Sequence, residues 1–262
     1  MTAARVTFLG CGTSSGVPMI GCDCQVCRSS DPRDNRLRPS IVLEVDDGTT
    51  LLVDTTPDFR QQALRHPLRR LDGVLFTHAH ADHILGLDDL RRFNFLQRRP
   101  MPCWADAATW ASICQTFAYA FDGKARLGGG VPQIETHDVA GAFVAAGVRV
   151  IPVPLLHGRM PMLGYRFGSL AYLTDCNALP DEAWPLLTGL DTLVLDALRD
   201  TPHSTHFSVG EALEVARRVG ARQTVLTHMT HDLGYAETCA RLPAGVTLAY
   251  DGLVLDAVVE RA

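Results

Sequence analysis

The sequence has no apolar run long enough to cross a lipid bilayer, and its first residues, MTAARVTFLG, lack the apolar stretch of a signal peptide. It also has no excess of positive charge, because 24 basic residues against 29 acidic residues give a formal net charge of −5. We therefore expect neither a membrane protein nor a binder of long nucleic acid. No repeat, low-complexity tract or Pro-, Gly- or Ser-rich linker divides the chain, so we expect one domain over residues 1–262.

The eight cysteines do not resemble the disulfide framework of a secreted protein. Three of them lie in the run GCDCQVC, and the other five are scattered and are expected to be ordinary buried thiols. Cysteines that close together rarely bridge one another without strain, whereas metal sites use such spacing routinely. We therefore expect a reducing, cytoplasmic location and a zinc-binding loop at about residues 20–28.

The order of secondary-structure patterns indicates an α/β protein. SIVLEVDDGTTLLV reads as a hairpin turning at Asp47-Gly48, and FSVGEALEVARRVGA reads as an amphipathic helix. Residues 103–121 are predicted to be helical and residues 126–132 to form a loop. Strands come first and then alternate with helices, which predicts a two-sheet sandwich with helices outside.

The stretch FTHAHADH places three histidines and an aspartate within six positions. His78 and His80 leave a strand end, where alternate residues share a face, and Asp82 and His83 follow on the turn into a helix. Four ligands are too many for one tetrahedral ion that also keeps an open catalytic position. They suit two neighbouring ions, each completed by residues from elsewhere in the chain.

Three further residues follow strand-like apolar runs and offer that completion: His157, Asp175 and His228. Polar groups at the ends of several strands meet at one edge of a sheet. A carboxylate such as Asp175 can bridge two cations about 3.5–4 Å apart. We predict that Asp175 lies between two ions, each with its own set of ligands: His78, His80 and His157 for one, and Asp82, His83 and His228 for the other. The alternative is that all of these are polar turn residues.

The motif THAHADH, followed in order by the three residues above, resembles the metallo-β-lactamase fold superfamily. The resemblance covers nearly the whole chain and implies an αβ/βα four-layer sandwich with a dinuclear site at one edge. Asp54 in LLVDTT matches the upstream aspartate of the superfamily, which implies that it orients the histidines from behind. A turn residue at a strand end is the alternative reading of Asp54.

The cysteine run needs a fourth ligand to close a tetrahedral zinc site, and His231, three residues after His228, is the best candidate. The alternative is a reduced, flexible loop without metal. The patterns GxPxxGCxCxxC and LTHxxH together resemble the PhnP-type branch of the superfamily, the phosphoribosyl cyclic phosphodiesterases. This resemblance implies a structural zinc on four residues: Cys22, Cys24, Cys27 and His231.

Two histidines, His203 and His206, precede the amphipathic helix in TPHSTHFSVGEAL. The PhnP-type resemblance implies that a histidine in this place is the general acid, and His206 matches it best, with His203 as the second choice. A plain surface-loop position is the alternative for either residue. The surrounding STHFS differs from the phosphonate-pathway enzyme, which leaves the substrate open.

These patterns together predict a phosphoric diester hydrolase acting on a small phosphodiester, such as a cyclic ribose phosphate or a nucleotide. A metal-bridging hydroxide would attack phosphorus, with His206 and Asp82 as the catalytic residues. The expected cofactors are two divalent ions (Mn²⁺ or Zn²⁺, with Fe as a further option) and one structural Zn²⁺. Two alternatives stay open: a lactone or thioester hydrolase, and a non-catalytic metal- or small-molecule-binding protein of a cofactor pathway. The oligomeric state is also open, with a homodimer among the options.

Two weaker features stand outside these motifs. Arg36 and Arg38 in NRLRPS offer guanidinium groups that suit a phosphate, but a solvated charge cluster is the reading we favour. Asp196 ends a strand-like run and either supports the site from behind or caps the strand.

Overall fold

The computed structural model describes residues 1–123 and 130–262, and it contains two seven-stranded sheets. The first sheet has the spatial order β14 (Val254–Val259), β1 (Thr2–Gly10), β2 (Ser40–Val45), β3 (Thr50–Val53), β4 (Gly73–Leu75), β5 (Met101–Ala105) and β6 (Ile134–Asp138). The second has the order β13 (Val246–Leu248), β12 (Gln223–Thr227), β11 (Thr192–Asp196), β10 (Leu170–Leu173), β9 (Met160–Phe167), β8 (Val148–His157) and β7 (Phe143–Ala145).

The helices of the described residues are short. The α-helices are α1 (Phe59–Arg65), α2 (Ala81–Ile84), α3 (Arg91–Gln97), α4 (Ala107–Thr116), α5 (Ala118–Phe121), α6 (Val209–Val219) and α7 (Tyr235–Arg241). Short 3-10 helices cover Pro32–Asp34, Leu87–Leu90 and Asp181–Leu187. None of the helices within 1–123 and 130–262 has the length and apolar character that crossing a membrane requires.

Strand pairing follows the same plan in both sheets. Strands β1 to β3 and β7 to β10 pair antiparallel with their chain neighbours, whereas β3 to β6 and β10 to β13 pair in parallel. Parallel neighbours require crossover connections, which the helices provide. The predicted two-sheet α/β sandwich with outer helices is confirmed.

Two apolar clusters hold the layers together. The larger lies between the sheets, where Phe8 and Ile41 of the first sheet and Tyr165 and Leu193 of the second are fully buried. The smaller packs the other face of the first sheet against helices, with Val74 beside Phe93 and Trp110. Because side chains alternate across a strand, one sheet serves both clusters.

Local sequence accounts for the predicted hairpin and for α6. Gly48 takes the left-handed φ of 87° that the turn between β2 and β3 requires. Ser208 caps α6, accepting a hydrogen bond from the Glu211 N–H, while the Glu211 carboxylate accepts one from the Ser208 N–H. Both elements confirm the predictions from the sequence.

Two other predictions need correction. The segment 103–121 begins as a strand, because β5 continues to Ala105 and α4 starts only at Ala107. The helix expected after the FTHAHADH stretch ends at Ile84 and is interrupted at Gly86, whose N–H donates to the Thr55 carbonyl at 2.9 Å instead of to its own helix. The predicted loop at 126–132 falls largely outside the described residues.

Candidate metal centre

The residues predicted to bind metal meet at one edge of the sandwich, where strands end. His157 is the last residue of β8, Asp175 lies two residues past β10, and His228 lies one residue past β12. His78 follows β4 of the opposite sheet after a two-residue turn. The carboxyl ends of strands from both sheets therefore converge, as expected for an open α/β site.

Asp175 is the residue that joins the whole centre. Its Oδ2 lies 2.7 Å from His83 Nε2, 3.1 Å from His228 Nε2 and 3.4 Å from His78 Nε2. Its Oδ1 lies 3.0 Å from His157 Nδ1. One carboxylate thus faces four imidazoles from three separate chain segments, the placement expected of a ligand shared between ions.

The ligand atoms fall into two main groups that share Asp175. One group contains Asp82, His83, Asp175 and His228, and all four residues are buried. The other contains His78, His80 and Asp175, with His78 Nε2 only 3.0 Å from His80 Nδ1. His157 lies with Asp175 and His206 in a third group. The structure brings all seven predicted ligands together, and we call them the His/Asp centre.

Asp54 fixes the tautomers of two histidines from beneath the centre. Its Oδ2 accepts hydrogen bonds from His83 Nδ1 at 2.7 Å and from the Thr77 hydroxyl at 2.8 Å. Because the Thr77 proton is directed to Asp54, the His78 Nδ1–H donates to Thr77 Oγ1 at 3.0 Å. The Nε2 atoms of His78 and His83 are therefore left to face the centre, as the upstream aspartate was predicted to achieve.

Three residues of this region adopt the left-handed backbone conformation that non-glycine residues seldom take. Asp54, Asp175 and His228 have φ values of 64°, 60° and 63°. Such a conformation costs on the order of 1–3 kcal/mol per residue and persists where the surroundings hold it. The turns after β3, β10 and β12 thus aim the side chains at the cost of local strain.

In the His/Asp centre, buried carboxylates and imidazoles stabilise one another's charged forms. Burial opposes the charged form of Asp175, but His228 and His157 outweigh it and hold the pKa of Asp175 well below its usual value. Burial likewise opposes the charge on His228, yet Asp175 raises the pKa of His228 to about 10. Protons on the imidazoles supply positive charge here, and a metal cation competes with such protons for the same atoms.

Orphaned polar atoms show that the centre fits a divalent metal. Among the described residues, buried atoms without a hydrogen-bond partner include Asp82 Oδ2, Asp175 Oδ1, His157 Nδ1 and both ring nitrogens of His228. His157 Nδ1 and Asp175 Oδ1 are close in distance, but their angle makes no hydrogen bond. Buried polar atoms are costly unless paired or coordinated. A set of imidazole and carboxylate donors suits Zn²⁺, Mn²⁺ or Fe.

The two candidate acids occupy different positions. His206 is buried, with Nδ1 3.3 Å from Asp196 Oδ1 and 3.4 Å from Asp175 Oδ1. His203 is half-buried, with its ring centroid 5.1 Å from that of His206, and it contacts Thr205 rather than a carboxylate. The structure thus places His206 against the centre and His203 beside it.

Asp196 and Asn177 support the centre from behind, and neither belongs to the predicted site set. Asp196 is fully buried and accepts hydrogen bonds from the backbone N–H groups of Asp175 and Phe207. Asn177 accepts from the Gly158 N–H at 2.7 Å and donates to the Ser204 carbonyl at 3.2 Å. The strand-end position of Asp196 was the one indication of its role in the sequence.

The four predicted structural-zinc ligands form a second group, which we call the cysteine cluster. His231 Nδ1 lies 3.2 Å from Cys24 Sγ and 3.5 Å from Cys22 Sγ, and all four ligand atoms lie within 4.8 Å of one another. The Cys27 N–H donates to Cys24 Sγ, and with His231 it lowers the pKa of the Cys24 thiol to about 6. Burial raises the pKa of Cys27 to about 11. Three thiols and one imidazole at these separations suit a tetrahedral zinc.

The arginine pair of NRLRPS does not form a solvated cluster. Arg36 is completely buried, and its guanidinium donates to backbone carbonyls and to Asp34. Arg38 is partly exposed and pairs with Asp58 at 3.0 Å. The favoured reading of a solvated cluster is therefore wrong for Arg36, because tertiary acceptors replace water around its guanidinium.

Comparison with known families defines the class of this fold and site. Residues 49–229 match the model of the β-lactamase superfamily domain, which is well over half of the chain, and the protein belongs to that superfamily. A crystal structure described as a new diphosphatase from the PhnP family shares 46% sequence identity with it. That similarity covers 98% of each chain at a TM-score of 0.92. The protein is therefore a PhnP-type member of the metallo-β-lactamase superfamily.

Two more distant relatives complete the comparison. An octanoyltransferase of Porphyromonas gingivalis is 37% identical over 253 residues, covering 95% of this chain and 51% of the relative. The chain thus spans about half the length of that curated relative. Zn²⁺-bound PqqB of Methylobacterium extorquens has a TM-score of 0.75 at 23% identity, covering 97% of this chain and all of PqqB. At that identity the likeness to PqqB concerns the fold.

Proposed function

We propose that the protein hydrolyses a small phosphodiester, such as a cyclic ribose phosphate or a nucleotide, with His206 as the general acid. The observation that carries this proposal is the position of His206, which is buried against the His/Asp centre and held by Asp196. Hydrolysis of an alkyl phosphodiester releases an alkoxide, which must be protonated as it leaves. A histidine fits this task because its ordinary pKa lies near neutral pH.

In this proposal seven residues hold two divalent ions, with Asp175 shared between them. His78, His80 and His157 would hold one ion, and the other would be held by Asp82, His83 and His228, whose ligand atoms lie with those of Asp175 within 4.8 Å of one another. Bound divalent ions polarise phosphoryl oxygens and lower the pKa of water. Asp54 and Asp196 hold the surrounding imidazoles in place, and Asp82 remains an ionised carboxylate because His83 and His228 lower its pKa.

A second candidate is hydrolysis of a diphosphate linkage. It is favoured by the 46% identical PhnP-family relative, which is described as a diphosphatase. Both reactions transfer a phosphoryl group to water, but a departing phosphate is a much weaker base than an alkoxide. Protonation by His206 therefore matters less for a diphosphate than for a cyclic ester.

Turnover of His206→Ala on substrates with different leaving groups tests the proposal. With an alkoxide leaving group, we expect kcat/KM to fall by about 10²–10⁴-fold, and with bis(p-nitrophenyl) phosphate by much less. His203→Ala is the matched control and should leave both rates close to the wild type. An equal loss on both substrates would show that His206 supports the structure instead of donating a proton.

A substrate panel separates the candidate reactions on the same enzyme. The panel contains a ribose cyclic phosphate, a 2′,3′-cyclic nucleotide, a nucleoside diphosphate and p-nitrophenyl acetate, with metal content measured in parallel. We expect the highest kcat/KM on a cyclic diester. Hydrolysis of the acetate without turnover of any phosphorus compound would overturn the proposal.

A further inference from the structure

We propose that Arg36 is the positioning residue that brings His231 to the cysteine loop. The proposal rests on zinc binding by the cysteine cluster, the arrangement described above. His231 lies more than 200 positions along the chain from Cys22 and Cys24, so some contact must fix its segment against the loop. Arg36 makes one such contact from a completely buried position, and the backbone hydrogen bonds of Met229 with Cys11 and Thr13 make another.

The Arg36 side chain holds the segment that carries His231. Its Nη1 donates to the Thr230 carbonyl at 2.9 Å, and its Nη2 donates to the Leu233 carbonyl at 2.5 Å. These two carbonyls flank His231 on both sides. One guanidinium therefore holds the backbone one residue before and two residues after the histidine.

The Arg36 backbone holds the other partner, the start of the cysteine loop. Its N–H donates to the Val17 carbonyl at 2.7 Å, and its carbonyl accepts from the Val17 N–H at 2.9 Å. Val17 lies five residues before Cys22. A single residue thus links the cysteine loop through its main chain to the His231 segment through its side chain.

Asp34 completes the arrangement. Its Oδ1 accepts from Arg36 Nη2 at 3.1 Å and from the Tyr235 N–H at 2.7 Å, where α7 begins. The buried positive charge of Arg36 is therefore paired with a carboxylate. Its guanidinium donates to three acceptors held by the fold: Asp34 Oδ1 and the carbonyl oxygens of Thr230 and Leu233. Lysine cannot reproduce this, because its ammonium lacks the planar fork of five donors.

The matched control is Arg166, whose guanidinium also ties remote carbonyls together. It donates to Gly168, Leu186 and Thr188, none of which belongs to either metal group. Arg166→Lys should destabilise the fold without changing zinc retention. The comparison separates a general loss of stability from a specific loss of ligand positioning.

The experiment measures zinc release to 4-(2-pyridylazo)resorcinol and the reactivity of thiols towards 5,5′-dithiobis(2-nitrobenzoate). We expect Arg36→Lys to weaken zinc binding at the cysteine cluster by about 10- to 100-fold, the usual effect of losing a group that orients a ligand. Three thiols should become reactive in Arg36→Lys, and excess zinc should protect them again. Arg166→Lys should match the wild type in both measurements.

Wild-type zinc retention and thiol protection in Arg36→Lys would overturn the inference. If Arg36→Lys does not fold by circular dichroism, Asp34→Asn decides, because it keeps an acceptor for the Tyr235 N–H and removes the charged partner of Arg36. Asp34→Asn should then release zinc faster than Arg166→Lys, and equal rates would overturn the inference. Freely reactive cluster thiols in the zinc-loaded wild type would refute the zinc site itself, which is a distinguishable result.

Discussion

The His/Asp centre and the cysteine cluster come within three residues of each other at His228 and His231, yet they are assembled differently. The His/Asp centre draws its ligands from the ends of strands in both sheets, and most of them are fully buried. The cysteine cluster takes three ligands from six consecutive loop residues and only one from a distant segment. The first site therefore depends on the whole fold, whereas the second depends on one loop and one long-range contact.

The support behind each site differs in the same way. Asp54 and Asp196 are fully buried carboxylates that hold the histidines of the His/Asp centre by direct hydrogen bonds. Two sulfur atoms of the cysteine cluster accept hydrogen bonds from backbone N–H groups instead: Cys27 Sγ from Met19 and Cys24 Sγ from Cys27. A supporting carboxylate buries a negative charge, which is costly unless the charge is paired. Such carboxylates therefore occur behind the His/Asp centre, where the ligands themselves are buried and ionised.

The largest effect is expected from removing Asp175, the residue common to the ligand groups. Asp175→Ala should abolish turnover and weaken metal binding by more than the roughly 100-fold loss of affinity typical of residues that only orient a ligand, so that the protein is isolated with less metal. Metal content by mass spectrometry and turnover on bis(p-nitrophenyl) phosphate check this. The exposed Asp191→Ala is the control, and full metal content in Asp175→Ala would contradict a shared ligand.

A smaller and separate effect is expected from Cys24→Ser. The protein should bind one zinc fewer and unfold at a lower temperature, because structural zinc contributes directly to folding stability. The His/Asp centre should keep its metal, since its supports lie outside the cysteine loop. Calorimetry with metal analysis checks both points, and Cys114→Ser serves as the control. Loss of all metal in Cys24→Ser would show that the two sites are not independent.

The smallest effect concerns Asp251, whose buried carboxylate accepts hydrogen bonds from the N–H groups of Cys11 and Leu37. Burial raises the pKa of Asp251 from 3.8 to about 7. The folded state then binds more protons than the unfolded state between these values, so stability falls as the pH rises from about 4 to about 7. The slope is at most about 1.4 kcal/mol per pH unit.

Urea unfolding across this pH range, compared with Asp251→Asn, isolates that contribution. The free energy of unfolding of the wild type, relative to that of Asp251→Asn, should be highest near pH 4 and should fall as the pH rises towards 7. An unchanged difference would mean that Asp251 keeps an ordinary pKa in the folded protein.

The sequence predicts the sandwich and the gathering of the metal ligands because both follow from local patterns. Strand-like runs that end in His or Asp indicate the edge of a sheet, and the spacing of Cys22, Cys24 and Cys27 indicates chelation. The break at Gly86 and the burial of Arg36 could not be predicted, because each depends on backbone carbonyls remote in sequence. The supporting role of Asn177 could not be predicted either, because its hydrogen-bond partners are backbone groups remote in sequence. The roles of the site residues stay predictions until variants are measured.

The left-handed turns at Asp54, Asp175 and His228 have a consequence for anyone who transplants this site onto another scaffold. Copying the donor side chains alone would leave them on extended backbone, pointing elsewhere. Of the two residue types involved, aspartate tolerates this conformation better than most; asparagine would suit the turn but lose the negative charge, and glycine would suit it but remove the side-chain ligand. Substitution at these three positions is thus restricted by two requirements: the side chain must supply the right polar atom, and the residue must tolerate a positive φ.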